Sequence, residues 1–164
     1  MDDFRIGFGY DSHRIEKGRK LFLGGVEFPG EDGLLGHSDA DALIHAIIDA
    51  LLGAAAEGDI GTHFPDTDEK WKGASSSEML STVVSQLSEK GWRVGNVDAT
   101  VIAEKVRIRP MAEKICAHLS KILKIDVSRI SVKGKTNERM DDVGDAVGIV
   151  SHAAALILKN KEEK

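Results

Sequence analysis

The chain of 164 residues has a single cysteine, Cys116, which excludes an intrachain disulfide and agrees with a reducing compartment. Cys116 stands in an apolar, helix-like stretch, where a thiol packs as a small hydrophobe. The start, Met1-Asp2-Asp3-Phe4, lacks the basic-then-apolar order of a secretory signal. Long apolar runs are missing as well: the longest uncharged stretch goes only from Ala146 to Leu158, too short to span a bilayer. A cytoplasmic protein without a membrane partner is expected. Excess positive charge is also absent. A formal net charge of -5 gives no global attraction to nucleic acid, so any phosphate binding must be local. No repeat or low-complexity segment occurs, and Trp71 and Trp92, without basic or aromatic-rich surroundings, read as packing residues.

What is present suffices for one hydrophobic core and is too short for two, so residues 1–164 are expected to form a single domain with a frayed tail at 159–164. Phe4, Ile6, Phe8 and Tyr10 alternate with Arg5, Gly7, Gly9 and Asp11, the period of a strand buried on one face, which puts Asp11 and His13 together on the other. Leu21-Phe22-Leu23, Gly24-Gly25 and Val26-Glu27-Phe28 read as a hairpin ended by Pro29-Gly30. A helix follows, N-capped by Ser38 or Asp39, with an apolar stripe of Ile44, Ile47, Ile48, Leu51, Leu52 and Ala55 and a stop at Gly58; His45 sits at the stripe's edge. Further on, the pattern predicts a helix over Ser76 to Lys90, a strand through Val97 to Ala103 and a helix from Pro110 to Lys124. A strand opening with Ile130 and Val132 follows. The last element, Val147 to Leu158, is apolar on every face and reads as a buried strand or a subunit contact, although its alanines also permit a helix.

Two places gather groups that do chemistry. Asp11 and His13 stand roughly 7 Å apart along a strand and can converge on one ion, with His45 as a third ligand. Two imidazoles and a carboxylate suit Zn²⁺ and leave a fourth position open. Read alone, Asp-x-His is more often a surface ion pair, and a lone His45 more often a hydrogen-bonded core histidine. His37 and Ser38 precede a helix, where free N–H groups favour a phosphate; a plain capping segment explains Ser38, Asp39 and Asp41 equally well but not His37. The loop from Gly58 through Asp59, Ile60, Gly61 and His63 to Phe64, Pro65, Asp66, Thr67 and Asp68 is dense in groups able to bond a polyol, or is an ordinary surface loop. Lys133-Gly134-Lys135-Thr136-Asn137-Glu138 offers cations and a hydroxyl to phosphate and a carboxylate to Mg²⁺ or Mn²⁺, or is a solvated turn. Lys105, Arg107 and Arg109 make either a phosphate contact or a charged loop. His118 and His152 read as structural, and His63 as a bystander.

Five blocks in order make the chain similar to the 2-C-methyl-D-erythritol 2,4-cyclodiphosphate synthase family. They are Gly9-Tyr10-Asp11-Ser12-His13, Gly36-His37-Ser38-Asp39-Ala40-Asp41 through His45 to Ala54, Gly58 to Gly61 with Phe64 to Asp68, Gly95-Asn96-Val97-Asp98, and Lys135 to Glu138. The resemblance implies an α/β (α+β type) subunit with a mixed β-sheet and helices on one side. It further implies a homotrimer around a β-lined core, with active sites at subunit boundaries. The implied reaction turns 4-diphosphocytidyl-2-C-methyl-D-erythritol 2-phosphate into the cyclic diphosphate and releases CMP. It implies one Zn²⁺ per subunit on Asp11, His13 and His45, a second divalent ion, Mg²⁺ or Mn²⁺, at Glu138, and transition-state stabilisation by His37 and Thr136. Binding residues carried over are Asp11, Ser12, His13, His37 and Ser38, then Asp59 to Gly61 and Phe64 to Asp68 for the erythritol. Ala103, Glu104, Lys105, Val106, Arg107, Ile108, Arg109, Lys135, Thr136, Asn137 and Glu138 are carried over for the cytidine diphosphate.

The chain departs from the family at two places. After Glu138, relatives commonly carry a Phe, an Arg and a Glu where this chain has Asp142, Asp145 and Val147, and an anion facing the trimer axis is expected to weaken binding of isoprenoid diphosphates there. Glu104-Lys105-Val106 replaces a common glutamine and proline. The competing readings are a metal-dependent phosphohydrolase, in which water attacks, and a non-catalytic trimeric module that binds isoprenoid diphosphates.

Overall fold

In the computed structural model, which describes residues 3–160, β1 (Phe4–Leu23) turns at Gly24-Gly25 into β2 (Val26–Leu34). The helices α1 (Ala42–Ala55), α2 (Ile60–His63) and α3 (Ser76–Glu89) lead to β3 (Trp92–Ile102). After a 3₁₀ turn at Arg109–Met111 come α4 (Ala112–Leu123), β4 (Ile130–Lys135), α5 (Asp141–Gly144) and β5 (Gly148–Lys159). The strands form one mixed sheet in the order β2-β1-β5-β3-β4, antiparallel except for the β3–β4 pair. The parallel pair is the one joined by a helix, α4, as a parallel connection requires.

Sequence spacing explains how α1 lies on this sheet. Ala46, Ala50 and Ala54 repeat every four residues, so they form one ridge. That ridge rests on Gly7 and Gly9: a Cβ built on Gly7 would stand 1.8 Å from the Ala50 carbonyl oxygen, and one on Gly9 1.9 Å from that of Ala46. Two strand residues advance about 6.8 Å and one helical turn about 5.4 Å, so the contacts keep step over a few turns. The chain directions oppose, and the next step brings Asp11 opposite the first turn of α1, where His45 sits.

This contact corrects the sequence reading of β1. The glycine face is the buried one, whereas Phe4, Ile6, Phe8 and Tyr10 are 57%, 70%, 67% and 51% exposed. The period of two is right and Asp11 and His13 do share a face with Gly7 and Gly9, but among the described residues nothing covers the aromatic side. β5 runs antiparallel beside it. Its Ile149, Ser151, Ala153, Ala155 and Ile157 are buried, while the alternate residues from Val150 to Leu158 are partly open. The helix alternative for this segment is thereby excluded.

Other boundaries shift for local reasons. Pro29-Gly30 does not end the hairpin: pairing resumes beyond a bulge, with Lys20 opposite Asp32. α1 is buried on nearly every side rather than striped, because β1, β5 and β3 lie beneath it and α3 beside it. Its N-cap is Asp41, not Ser38 or Asp39, and it stops at the left-handed Ala56, before Gly58. Lys159, expected in the tail, closes β5 opposite Trp92, while residues 161–164 of that tail lie outside the described residues.

The glycine contact sets an expectation for stability. Gly7→Ala must push α1 off the sheet because its new Cβ meets backbone, and urea unfolding should show a loss of about 3 kcal/mol. Gly53→Ala, on the exposed side of α1 with nothing within 4 Å, should be neutral or stabilising.

Candidate metal centre and substrate clefts

β1 delivers Asp11 and His13 and α1 delivers His45, and the three donors lie within 4.8 Å of one another. Among the described residues this is the single such cluster of His, Cys, Asp and Glu. The Asp11 Oδ2 atom is 2.9 Å from His13 Nε2 and 3.0 Å from His45 Nδ1. His13 Nδ1 donates to the Leu35 carbonyl at 2.7 Å, which leaves Nε2 facing the cluster. On His45 the far nitrogen, Nε2, lies 2.9 Å from Ser76 Oγ, so Nδ1 faces inward. Each imidazole thus turns one nitrogen to the shared point and holds the other on the protein, the arrangement of metal-ligating histidines.

Charge adjusts in the same sense. Burial on its own would raise the Asp11 carboxyl, but hydrogen bonds from His13 and His45 outweigh it and bring its pKa from 3.8 down to about 2. Burial opposes a charged His13, yet the Asp11 hydrogen bond and charge prevail and raise its pKa above 6.5. A carboxylate at this point therefore stays ionised and attracts a cation, whether a proton on His13 or a metal.

The loop between β2 and α1 is held at both ends. The Arg19 guanidinium donates to the Gly36 carbonyl at 2.9 Å and to that of Ser38 at 2.8 Å, clamping the backbone on either side of His37. The buried Asp41 carboxylate accepts from the backbone N–H groups of Gly24, Gly25 and Ile44 at 2.9, 2.6 and 3.0 Å, which ties α1 to the β1–β2 turn. Burial pushes the Asp41 carboxyl up, and the N–H donors work against that shift. Between these fixed points His37 Nε2 is buried with no hydrogen-bond partner.

These groups open on a cleft of about 480 Å³. Asp11, His13, His37, Ser38 and His45 line one side, and Ile60, Gly61, Phe64, Pro65 and Asp66 the other. Asp59 does not line it: its carboxylate caps α2 on Thr62. Asp68 likewise caps the turn at Lys70, and Thr67 is exposed outside the cleft. His63 Nε2 donates to the Glu57 carbonyl at 2.9 Å, outside the cleft. Trp71, read as a packing residue, does pack edge-on against Phe64 at 4.8 Å, but it also lines the cleft with Met79. Neither carried a signal in the sequence, since each comes from an element whose distance from the cleft is set by the fold.

A second cleft, of about 350 Å³, lies between the ends of β3 and β4 and is lined by Ala103, Val106, Arg107, Ile108, Arg109, Lys135 and Thr136. Glu104 accepts from the Asn137 N–H at 3.1 Å, and Thr136 Oγ1 donates to Glu138 at 2.6 Å. Lys105 is exposed beside it. The Glu138 backbone is left-handed at φ 50, as are Arg139 at 61 and Asp141 at 57, so this turn holds strain that its hydrogen bonds must offset. The two clefts share no lining residue, so one chain does not bring Thr136 and Glu138 to the metal cluster. Ser12 lines neither. It borders a third groove with Tyr10, Arg14, Asp142 and Val147, on the side of β1 that carries the exposed aromatics.

A mixed sheet with three convergent donors in a cleft defines an α/β protein with a candidate divalent-metal centre. A protein-family model described as the YgbB family matches residues 4–158. Over 157 residues the chain is 52% identical to the 2-C-methyl-D-erythritol 2,4-cyclodiphosphate synthase of Brachyspira hyodysenteriae, covering 96% of this chain and 99% of that one. Against the synthase of that name from Dechloromonas aromatica it is 54% identical, covering 94% and 97%. Among solved structures, the IspF–CDP complex of Plasmodium falciparum superposes with a TM-score of 0.85 at 36% identity, covering 98% of this chain and 99% of the other. The bifunctional IspDF of Campylobacter jejuni superposes with a TM-score of 0.93 at 33% identity, over 97% of this chain and 43% of its own length. The chain belongs to the YgbB family, that of the 2-C-methyl-D-erythritol 2,4-cyclodiphosphate synthases.

The raised pKa of His13 has a sign that can be tested. In metal-free protein the Asp11–His13 pair stabilises fully below the unfolded histidine value of about 6.5 and loses that contribution as pH rises through the raised folded value. A metal on His13 must displace that proton. Calorimetric titration of Zn²⁺ at about pH 6, in buffers of different ionisation enthalpy, should therefore show at least one proton released, with the number falling as pH rises past the His13 pKa. A proton count that does not change with pH would remove His13 from the ligand set.

Proposed function

We propose that this chain converts 4-diphosphocytidyl-2-C-methyl-D-erythritol 2-phosphate into 2-C-methyl-D-erythritol 2,4-cyclodiphosphate and CMP, a lyase step of isoprenoid precursor synthesis in the cytoplasm. The observation that carries the reading is the convergence of Asp11, His13 and His45 in one cleft with the unpartnered His37 Nε2, in a chain of this family. Zn²⁺ on Asp11, His13 and His45 and Mg²⁺ or Mn²⁺ at Glu138 would supply charge neutralisation at the diphosphate. The donor set fits Zn²⁺, which would be held by one carboxylate oxygen and two imidazole nitrogens.

The chain's own residues orient and neutralise. Both reacting phosphorus groups belong to one molecule, so folding the substrate across the clefts turns a bimolecular step into an intramolecular one. An oxygen of the 2-phosphate attacks the β-phosphorus, the bond to the α-phosphate oxygen breaks, and CMP leaves with that electron pair. No protein nucleophile is needed. His37 and the backbone at Ser38 hold the attacking phosphate, in a loop that Arg19 keeps in place. Ile60, Gly61, Phe64, Pro65 and Asp66 enclose the methylerythritol, with Asp59, Thr67 and Asp68 shaping the loop that carries them. Ala103 to Arg109 and Lys135 to Asn137 hold the cytidine diphosphate, and Thr136 meets charge developing on the phosphates. Glu104 acts at the edge of the cytidine side through the Asn137 N–H, whereas Ser12, on the other face of β1, borders neither cleft.

The two clefts must face each other across a subunit boundary for this to work, which supports a homotrimer. So does the exposed row of Phe4, Ile6, Phe8 and Tyr10, too apolar to face water and well placed on a sheet to line a shared core. Asp142 lies in the groove beside Tyr10, where it would repel an isoprenoid diphosphate near that core. The phosphohydrolase and the non-catalytic module are not favoured, since the chain's family is that of the synthases.

Three outcomes are expected. Incubating the cytidyl substrate with enzyme, Zn²⁺ and Mg²⁺ should give phosphorus NMR signals of a cyclic diphosphate and CMP; a linear monophosphate would establish the hydrolase instead. His45→Ala should lose Zn²⁺ and lower kcat by at least about 10³-fold while circular dichroism stays native, because a ligand is lost and the packing of α1 is not. Phe8→Asp should move the sedimentation mass from three chains to one and abolish turnover, and an active monomer would refute the shared-site arrangement.

A further inference from the structure

Ser76 is fully buried, and the mechanism above makes no use of it. Its surroundings fix the direction of its hydrogen bonds. Asp39 Oδ2 accepts from the Ser76 backbone N–H at 2.9 Å, and Asp39 Oδ1 accepts from the Ser76 hydroxyl in a short hydrogen bond. A carboxylate only accepts, so the single hydroxyl proton of Ser76 is committed to Asp39. What Ser76 Oγ has left for His45 Nε2, 2.9 Å away, is a lone pair. His45 must then keep a proton on Nε2, which leaves Nδ1 as the nitrogen turned to Asp11 and His13, where a metal would take the place of the proton that Nδ1 shares with Asp11.

We infer that Asp39 and Ser76 are positioning residues that set the tautomer of His45, so that the chain Asp39–Ser76–His45 presents Nδ1 as the metal ligand. Asp39 thereby does two things that sequence alone assigned to a helix start. It caps the first turn of α3 and it orders a hydrogen-bond relay that ends on a ligand. The relay also links α3 to α1 through the loop that carries His37, since the Asp39 N–H donates to the Ala74 carbonyl at 3.1 Å. A competing acceptor for the Nε2 proton is Ser38 Oγ at 3.4 Å, a longer contact whose oxygen already accepts from the Ala40 N–H. Distance and the commitment of its lone pairs both favour Ser76 over Ser38.

The inference rests on the metal reading of Asp11, His13 and His45, and its test separates the two. Ser76→Ala removes the acceptor, and Asp39→Asn, almost isosteric, reverses the relay: its amide N–H₂ donates to Ser76, whose hydroxyl then donates to His45 Nε2 and drives the proton to Nδ1. Zinc affinity, measured by competition with a chromophoric chelator, should fall about 10–100-fold in each variant, as is usual for groups that orient metal ligands. Ser38→Ala should leave it within about 3-fold. In the zinc-loaded wild type, long-range ¹H–¹⁵N NMR should show the His45 proton on Nε2, slow to exchange, and in zinc-saturated Ser76→Ala the same proton should exchange quickly. Unchanged zinc affinity in both Ser76→Ala and Asp39→Asn would overturn the inference while leaving the metal site intact, and a proton on Nδ1 in the loaded wild type would overturn it and remove Nδ1 from the ligand set as well. Failure of the wild type to bind zinc would instead overturn the metal reading beneath it.

Discussion

The close approach of α1 to the glycines of β1 is the constraint on which the rest of this structure depends. With Cβ atoms at residues 7 and 9 the helix backbone would have to stand off by ångströms, because what lies opposite is the carbonyl of Ala50 or Ala46 and no flexible side chain. Such an offset at Gly7 and Gly9 would be carried down the strand to Asp11 and His13, and the separation between their donors and His45 Nδ1 would grow with it. A metal centre tolerates errors of a few tenths of an ångström in ligand distance. The alanine ridge of α1 and the bare face of β1 are therefore part of the site, although none of those residues touches a ligand.

Polar groups then convert position into chemistry. Asp41, buried among three N–H donors, locks the start of α1 to the β1–β2 turn, and Arg19 locks the loop between β2 and α1. Leu35 and Ser76 take the outer nitrogens of His13 and His45. The result is a cleft in which the inner nitrogens and an ionised carboxylate face one point, with His37 Nε2 left free beside it. An arrangement prepared in this way costs little reorganisation when charged substrate arrives, which is how electrostatic catalysis becomes effective.

The candidate donors Asp11 and His13 and the long helices α1, α3 and α4 were legible in the sequence because their signals are local. Asp11 and His13 are two apart on a strand, the α3 helix ends at its glycine, and the segments named around residues 97–103 and 130–135 became strands. The sidedness of β1 was not legible, since a row of Phe4, Ile6, Phe8 and Tyr10 is apolar whether it meets a helix or another subunit. Glycine gives no hydrophobic signal, so the buried face looked like the open one. Ser76 and Trp71 escaped for another reason. The place of Ser76 comes from the folding of α3 over the start of α1, between residues 31 apart in the chain, and that of Trp71 from its packing on Phe64 and beside Met79 in the cleft. Asp39 was expected at the start of α1, where Asp41 is the cap; its carboxylate instead accepts from the Ser76 N–H at the start of α3.

Backbone packing turns one chosen nitrogen from each of two histidines, with one carboxylate, to a single point where an ion would sit. Anomalous diffraction from crystals of the zinc-loaded protein, collected on both sides of the zinc edge, tests this directly. The expected map shows one zinc per chain bonded to Asp11, His13 Nε2 and His45 Nδ1, with a fourth position open to the cleft. Zinc bonded through His45 Nε2, or a peak away from β1 and α1, would contradict it.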